Sequence, residues 1–473
     1  MSGVYPTLSG GAPREHSGRA PRDLGQSQAK REALREFVRE RRSSVELAPG
    51  ELTDALVGSR TSRRVSHMSG GSLGGGRGGA PPGKWLSPAA DLAGSWMMLR
   101  SSWLNVLIIA APLGLAAELL GWGPSTTFVL NLMALIPLAL LLGCVTEDLS
   151  IRLGEIMGAL LNATFGNVVE IILSISALFR GLYQVVATSL LGSILSNMLF
   201  VLGMSFMAGG FKYKIVTFNA LAAQSSISLL LLIGIAITLP TAALHLSMGG
   251  AGPHGHLAPE DVLLMSRITA VALLVVYFCY LYFQMGSHSE MFSGPQPGAG
   301  NGGAIEEDSG EGEDEEGEEP MLSLGAAALW LGVITGLVAV CSEALTGSIE
   351  EVSHAWGLSQ GFLGFIVLPI AGNACEHVTA VFVAMKNKMD LSMGIAIGSS
   401  IQIGLLAVPL VTVIGWATGH PFSLAFDPFS ALVLVLSVFH TSVMIADSES
   451  NWLEGMQLIV TYFIIAVAYA MTT

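Results

Sequence analysis

Eleven runs of mostly apolar residues, separated by short polar breaks, occupy the chain from Trp103 onward. They are residues 103–120, 125–145, 156–179, 185–208, 217–239, 265–284, 322–345, 361–385, 391–415, 427–446 and 454–471. About 20 helical residues cross the ~30 Å hydrocarbon core of a bilayer, and each run approaches that length. The pattern predicts an all-α polytopic membrane protein with 11 transmembrane helices. Residues 1–102 contain no such run and read as a largely disordered, basic cytosolic tail. Within the tail, residues 28–46 carry Arg31, Arg35 and Arg39 on one helical stripe and Glu32, Glu36 and Glu40 on the next, as a solvated helix does. The Gly/Ser tract at 70–79 reads as linker, and Gly83-Lys84 is followed by Trp85, not by the Ser or Thr of a phosphate loop. No signal peptide is expected, because the first apolar run begins only near Trp103.

Composition fits this picture. The chain is 51% hydrophobic and 12% charged, where a soluble domain carries about 25% charged residues. The mean hydropathy is +0.61. The net charge of −14 is unevenly spread: ten of the fourteen residues from Glu306 to Glu319 are acidic, whereas residues 1–102 hold 15 of the 22 Lys and Arg. Nucleic-acid binding is therefore not indicated. Residues 285–321 form an acidic linker between the sixth and seventh runs. Placing the N-terminus in the cytosol and alternating sides puts 20 Lys and Arg on the cytosolic side, against only Arg180 and Arg267 opposite, and this asymmetry sets the orientation. Cys144, Cys279, Cys341 and Cys375 all lie in apolar runs without a CxxC pair, so no disulfide or zinc site is expected.

One polar motif occurs twice inside apolar runs. Gly166-Asn167-Val168-Val169-Glu170 recurs 206 residues later as Gly372-Asn373-Ala374-Cys375-Glu376, and Gly192-Ser193 recurs as Gly398-Ser399 at the same distance. The copies fall in the third and eighth runs. An odd separation of five runs the two copies in opposite directions, so spans 2–6 (residues 125–284) and 7–11 (residues 322–473) form two inverted five-helix repeats, with the helix at 103–120 left over. Inverted repeats with polar groups near the midplane mark secondary transporters; a symmetric channel is an alternative of the same topology. A carboxylate in the bilayer costs about 2.5–3.5 kcal/mol even on insertion scales and is by default functional.

On a helix, residues three apart share a face, so Asn167 and Glu170 point together, as do Asn373 and Glu376. Asn162 and Thr164 extend the first face, and Pro369 makes local unwinding expected before the second. Ser399 with Gln402, and Ser193 with Ser196 and Asn197, add oxygen donors from the partner runs. An all-oxygen set suits Ca²⁺, Mg²⁺, Mn²⁺ or Na⁺ and not a thiophilic metal. The expected metal site is Glu170, Glu376, Asn167, Asn373, Ser399, Gln402, Ser193 and Asn197. Cation binding would expel protons from the two carboxylates and protonation would expel the cation, which is the minimal machinery of exchange; Na⁺ as the counter-ion stays open. Glu147 and Glu343 at span ends could gather cations at the mouths. His377 is a proton-relay candidate; His245, His254 and His256 lie in a Gly/Pro-rich stretch on the far side.

The stretches Leu161–Glu170 and Leu368–His377 resemble the two signatures of the Ca²⁺/H⁺ antiporter (CAX) family of the cation/Ca²⁺ exchanger superfamily. Residues Met385–Leu391 and Gly398–Gln402 and the acidic linker are similar to that family too. The resemblance covers Trp103 onward. It implies the 11-span fold and Ca²⁺ export from the cytosol into an acidic, vacuole-like organelle in exchange for H⁺. It also implies Glu170 and Glu376 as central ligands and no cofactor beyond the transported Ca²⁺ and H⁺. An Mn²⁺/H⁺ or Na⁺-coupled Ca²⁺ exchanger of the same architecture is the alternative. An intramembrane hydrolase is disfavoured, because both acids are Glu with an amide beside each. The expected partners are the two ions and the lipid bilayer.

Overall fold

Two deeply enclosed helices sit at the centre of the bundle, and both carry candidate site residues. In the computed structural model, residues 87–153, 155–248, 258–288 and 320–472 are described. The expected helix at 28–46, the acidic run at 306–319, and His254 and His256 lie outside the described residues. The elements in chain order are α1 (Pro88–Leu99), a 3₁₀ segment (Trp103–Ile109) running into α2 (Ala110–Leu119), α3 (Pro124–Leu153), α4 (Glu155–Phe165) and α5 (Val168–Phe179). Then come α6 (Tyr183–Tyr213), β1 (Val216–Thr217), α7 (Ala220–Met248), α8 (Pro259–Ser287) and α9 (Leu324–Trp356). The chain continues as α10 (Gln360–Gly372), α11 (Ala374–Ala384), α12 (Met389–Thr418), α13 (Pro428–Met444), β2 (Glu449–Ser450) and α14 (Trp452–Thr472).

Local sequence explains the boundaries. Ser323 caps α9 by accepting from Ala326 N, and Gly357 ends that helix at φ 65°, a left-handed conformation that suits glycine. Asp427 caps α13 ahead of Pro428. The chain entering α9 is fixed by two buried aspartates. Asp91 of α1 accepts from Ser323 N at 2.8 Å and Ser323 Oγ at 2.9 Å, and Asp148 of α3 accepts from Met321 N and Leu322 N. Trp330 Nε1 donates to Ser95 Oγ at 2.8 Å. Helix α1 thus packs on α9 inside the stretch that the sequence reads as a polar tail ending at 102.

The central helices are α6, 89% buried over its apolar window, and α12, 67% buried; α9 and α14 are 22% buried. The outer helices present Leu329, Phe439, Phe463 and Ile464 to their surroundings, the surface that lipid requires. Among the described residues seven helices are long and apolar enough to cross a membrane: α3, α6, α7, α8, α9, α12 and α14. Two bent pairs, α1 with the 103–119 segment (96°) and α10 with α11 (56°), raise the count to nine if each is one span. Helices α5 and α13 are shorter apolar helices. Each of the eleven sequence runs falls on helix, but the count by length is seven to nine, because several runs are bent, broken or short.

The loops cluster at two ends. At one, β1 and β2 pair antiparallel through Val216 with Ser450 and Thr217 with Glu449. There Lys212 Nζ and Tyr213 OH donate to the Met385 carbonyl, and Asn219 N donates to Asp390 Oδ1 at 2.6 Å. At the other, Phe179 packs on His420, Tyr183 on Phe422, and Leu424 N donates to Ser266 Oγ.

Candidate cation site

Both copies of the repeated motif sit at a helix break. Helix α4 ends at Phe165 and α5 begins at Val168, with Asn167 between them at φ −110°, ψ 19°. Helix α10 ends at Gly372 and α11 begins at Ala374, with Asn373 at φ −86°, ψ 18°. The sequence pattern did not place a break at the Asn of either copy. Each Asn instead precedes a helix, and each Glu lies in its first turn. Glycine costs about 1 kcal/mol relative to alanine within a helix, and Asn competes for backbone partners, so a Gly-Asn pair is a weak link in the ladder. The break places each carboxylate at the positive end of a helix dipole. Pro369 is not where the helix breaks; it follows a widened π turn at Leu363–Val367, and the break comes at Asn373.

Asn167 is held from the other half of the chain. Its Nδ2 donates to Gln402 Oε1 at 2.6 Å, and its Oδ1 accepts from Ser399 Oγ at 2.8 Å. Ser399 Oγ in turn accepts from Asn197 Nδ2 at 2.9 Å. The second motif makes a related contact: Asn373 Nδ2 donates to the Ser193 carbonyl at 3.3 Å. Ser400 Oγ donates to the Ile194 carbonyl at 3.1 Å; these two positions are 206 apart, the spacing of the motif. π turns at Ser196–Val201 and Ile403–Ala407 interrupt α6 and α12 beside these contacts. Such turns recur at functional sites.

Seven of the eight predicted residues fall into two sets, and Ser193 joins them through its carbonyl and the wall of the cavity beside Glu170. Ser399 and Gln402 are both bonded to Asn167. Glu170 Oε1 and Oε2, Asn197 Oδ1, Asn373 Oδ1 and Glu376 Oε2 are buried acceptor oxygens with no hydrogen-bond donor. An unpaired buried acceptor is costly, and five oxygens, two carboxylates among them, are suited to a cation, protons or water as partners. Glu170 is 6% exposed and close enough to Glu376 for the two charges to interact. A cavity of about 10 Å³, lined by Glu170, Ser189, Ser193, Pro369 and Gly372, adjoins it. That is room for one small ion or water. Gly372 lets the carboxylate come this close: a Cβ there would lie 2.6 Å from Glu170 Oε1 and would displace it. Among the described residues no three His, Cys, Asp or Glu side chains converge as a metal cage. The set is two carboxylates completed by neutral oxygens.

The remaining sequence candidates fall elsewhere. Asn162 and Thr164 are exposed. Glu343 is not an open mouth acid, because Arg180 Nη2 bonds its Oε1 at 2.5 Å. His245 is exposed near the end of α7. His377 donates through Nδ1 to the Asn373 carbonyl and packs against Phe200, which stacks on Tyr462. Sequence reasoning missed Ser189, whose position four residues before Ser193 on α6 was the available signal.

Comparison with known proteins gives the family. The chain matches the sodium/calcium exchanger protein family over residues 125–286 and 326–471, and it belongs to that family. It is a transporter, not an enzyme, and a multi-pass helical membrane protein. A vacuolar calcium ion transporter of Schizosaccharomyces pombe is 39% identical over 372 residues, which cover 79% of this chain and 85% of that protein. A Ca²⁺/H⁺ antiporter of Synechocystis is 42% identical over 379 residues, covering 79% and 98%. The solved structure of native YfkE superposes with a TM-score of 0.63 at 30% identity, covering 78% of this chain and 99% of that one. That of the H⁺/Ca²⁺ exchanger CAX gives 0.56 at 14% identity, covering 80% and 92%, a likeness of fold.

Proposed function

We propose that this chain is a secondary active antiporter that moves Ca²⁺ out of the cytosol into an acidic, vacuole-like compartment in exchange for H⁺, by alternating access at a site built from Glu170 and Glu376. One observation carries the proposal: five buried acceptor oxygens without donors, contributed by both halves of the chain and including two carboxylates. Two carboxylates neutralise one divalent ion. Asn197 and Asn373 supply neutral oxygens, and Asn167, Ser399 and Gln402 orient the break that carries Glu170. Ca²⁺ accepts six to eight oxygens in flexible geometry, so a partly filled protein shell leaves places for water. A transported ion needs this, since it must be held and released. Emptied of Ca²⁺, the carboxylates take protons, which travel back. The relatives' Ca²⁺/H⁺ antiport and vacuolar names support the choice of ions and compartment. The oxygen set alone would also admit Mn²⁺, and Na⁺ coupling is the reading that the proton-coupled relatives disfavour.

The architecture proposed with this mechanism is 11 passes, the first helix outside two inverted five-helix repeats, with the N-terminus cytosolic. The Ile194–Ser400 contact supports it, because equivalent positions meet each other on a twofold axis. So does the clustering of Lys212, Met385 and Asp390 at one end and Phe179, His420 and Phe422 at the other, as strict alternation of the passes requires; the excess of Lys and Arg at the first end is what supports its being cytosolic.

The test is Ca²⁺ uptake by proteoliposomes with an acidic interior and no Na⁺. Wild-type protein should accumulate Ca²⁺ until the pH gradient is dissipated. Glu170→Gln and Glu376→Gln, which keep size and remove charge, should each insert normally and abolish uptake. Uptake near wild type in both variants would overturn the site, and uptake indifferent to the pH gradient would overturn the coupling.

A further inference from the structure

At the end of the bundle opposite the β1–β2 pair, a compact polar network joins the helix that carries Glu170 to the second half of the chain. Helix α5 holds Glu170 in its first turn, Ser176 near its end and Arg180 just beyond it. Helix α9 presents Glu343, Thr346 and Gly347, spaced three and four apart on one face. Arg180 Nη2 donates to Glu343 Oε1 at 2.5 Å and to the Glu343 carbonyl at 3.2 Å. Ser176 Oγ donates to Glu343 Oε2 at 2.6 Å and lies 2.7 Å from Thr346 Oγ1. The guanidinium rests flat on Gly347, where a Cβ would lie 2.9–3.0 Å from Nη2, Cζ and Nη1.

An exposed ion pair alone contributes little. Here the carboxylate is held on both oxygens, and one of its donors, Ser176, is buried together with Thr346. The network therefore has a fixed geometry. Phe179 against His420 and Tyr183 against Phe422 close the same end. Nothing in the cation site explains this construction, because none of its residues touches the five unpaired oxygens.

We infer that Ser176, Arg180 and Glu343 are positioning residues forming a latch between α5 and α9, which holds the Glu170 site shut on the side of His420. The inference rests on the alternating-access reading above. Any opening to that side that moves α5 relative to α9 has to break this network. Releasing it biases the protein toward the state open on that side.

The experiment reads access without needing transport. In full-length protein with the four native cysteines replaced by alanine, Ser189→Cys places a thiol in the cavity beside Glu170. A membrane-impermeant methanethiosulfonate reagent is applied in Ca²⁺-free medium from the face carrying His420. Arg180→Gln and Glu343→Gln should each raise the labelling rate about threefold to tenfold, the scale of a modest bias on a two-state equilibrium. Gly347→Ala, which displaces the guanidinium while keeping every charge, should act in the same direction. The exchanged pair Arg180→Glu with Glu343→Arg should return the rate toward the starting value. Unchanged rates in both single Gln variants, or an exchanged pair that labels as fast as they do, would overturn the latch. Faster labelling in the variants, with no pH-driven Ca²⁺ uptake by the wild-type protein, would instead sink the functional reading and leave the latch standing.

Discussion

Glu170 lies against the second half of the chain because residue 372 has no side chain. In Gly372→Ala the new Cβ would sit 2.6 Å from Glu170 Oε1, so the carboxylate must move. The expected result is loss of Ca²⁺ uptake with normal membrane insertion. Gly192 and Gly398 make a sharper comparison. In the sequence they are equivalent members of the repeat, and nothing there separates them. In the structure a Cβ at 192 would lie 2.2 Å from the Phe365 carbonyl, whereas a Cβ at 398 meets nothing within 4 Å. Gly192→Ala should therefore destabilise the protein by about 1–3 kcal/mol, the usual cost of overpacking. Gly398→Ala should be neutral or stabilising by up to about 1 kcal/mol, because alanine favours helix. Thermal unfolding in detergent measures both. The residue types of the proposed site were legible in the sequence, since acids and amides are conspicuous in apolar runs. The sequence could not show which oxygens stay unpaired, because that depends on partners about 200 residues away, as for Asn167 with Ser399 and Gln402.

At the scale of elements, the eleven apolar runs were legible because hydrophobic length is a property of composition. The breaks at Asn167 and Asn373 were not, since a broken helix and a straight one show the same apolar pattern. Nor was α1, whose Asp91 and Ser95 look like ordinary tail residues until Ser323 and Trp330 meet them. The contact between α5 and α12 is where these elements can be tested. Ser399 Oγ both donates to Asn167 and accepts from Asn197. Ser399→Ala leaves two buried amide groups unsatisfied, each costing about 1–3 kcal/mol. The expected outcome is a marked drop in thermal stability together with weaker Ca²⁺ binding; Ser399→Thr, which keeps the hydroxyl, should recover most of both. Weakened binding at full stability would assign Ser399 to the ion instead of to the scaffold.

For the whole molecule, the uneven distribution of Lys and Arg gave the proposed orientation before any contact was known. Cysteines introduced at 310 and 388 should label from the cytosolic face of sealed vesicles and one at 420 only from the opposite face. Labelling of 388 and 420 from the same side would break the inverted-repeat arrangement. The direction of pH dependence also belongs to this scale, because in the proposed mechanism one pair of carboxylates serves both ions. Protons and Ca²⁺ compete for it, so affinity must fall as pH falls, and binding must release protons. Calorimetric titration of the purified protein with Ca²⁺, in buffers of differing ionisation enthalpy and across about pH 6–8, tests the central claim most directly. The account predicts an apparent enthalpy that varies with the buffer, an affinity that rises with pH, and loss of both in Glu170→Gln and Glu376→Gln. Ca²⁺ binding of constant affinity across that range, with no proton release, would contradict it.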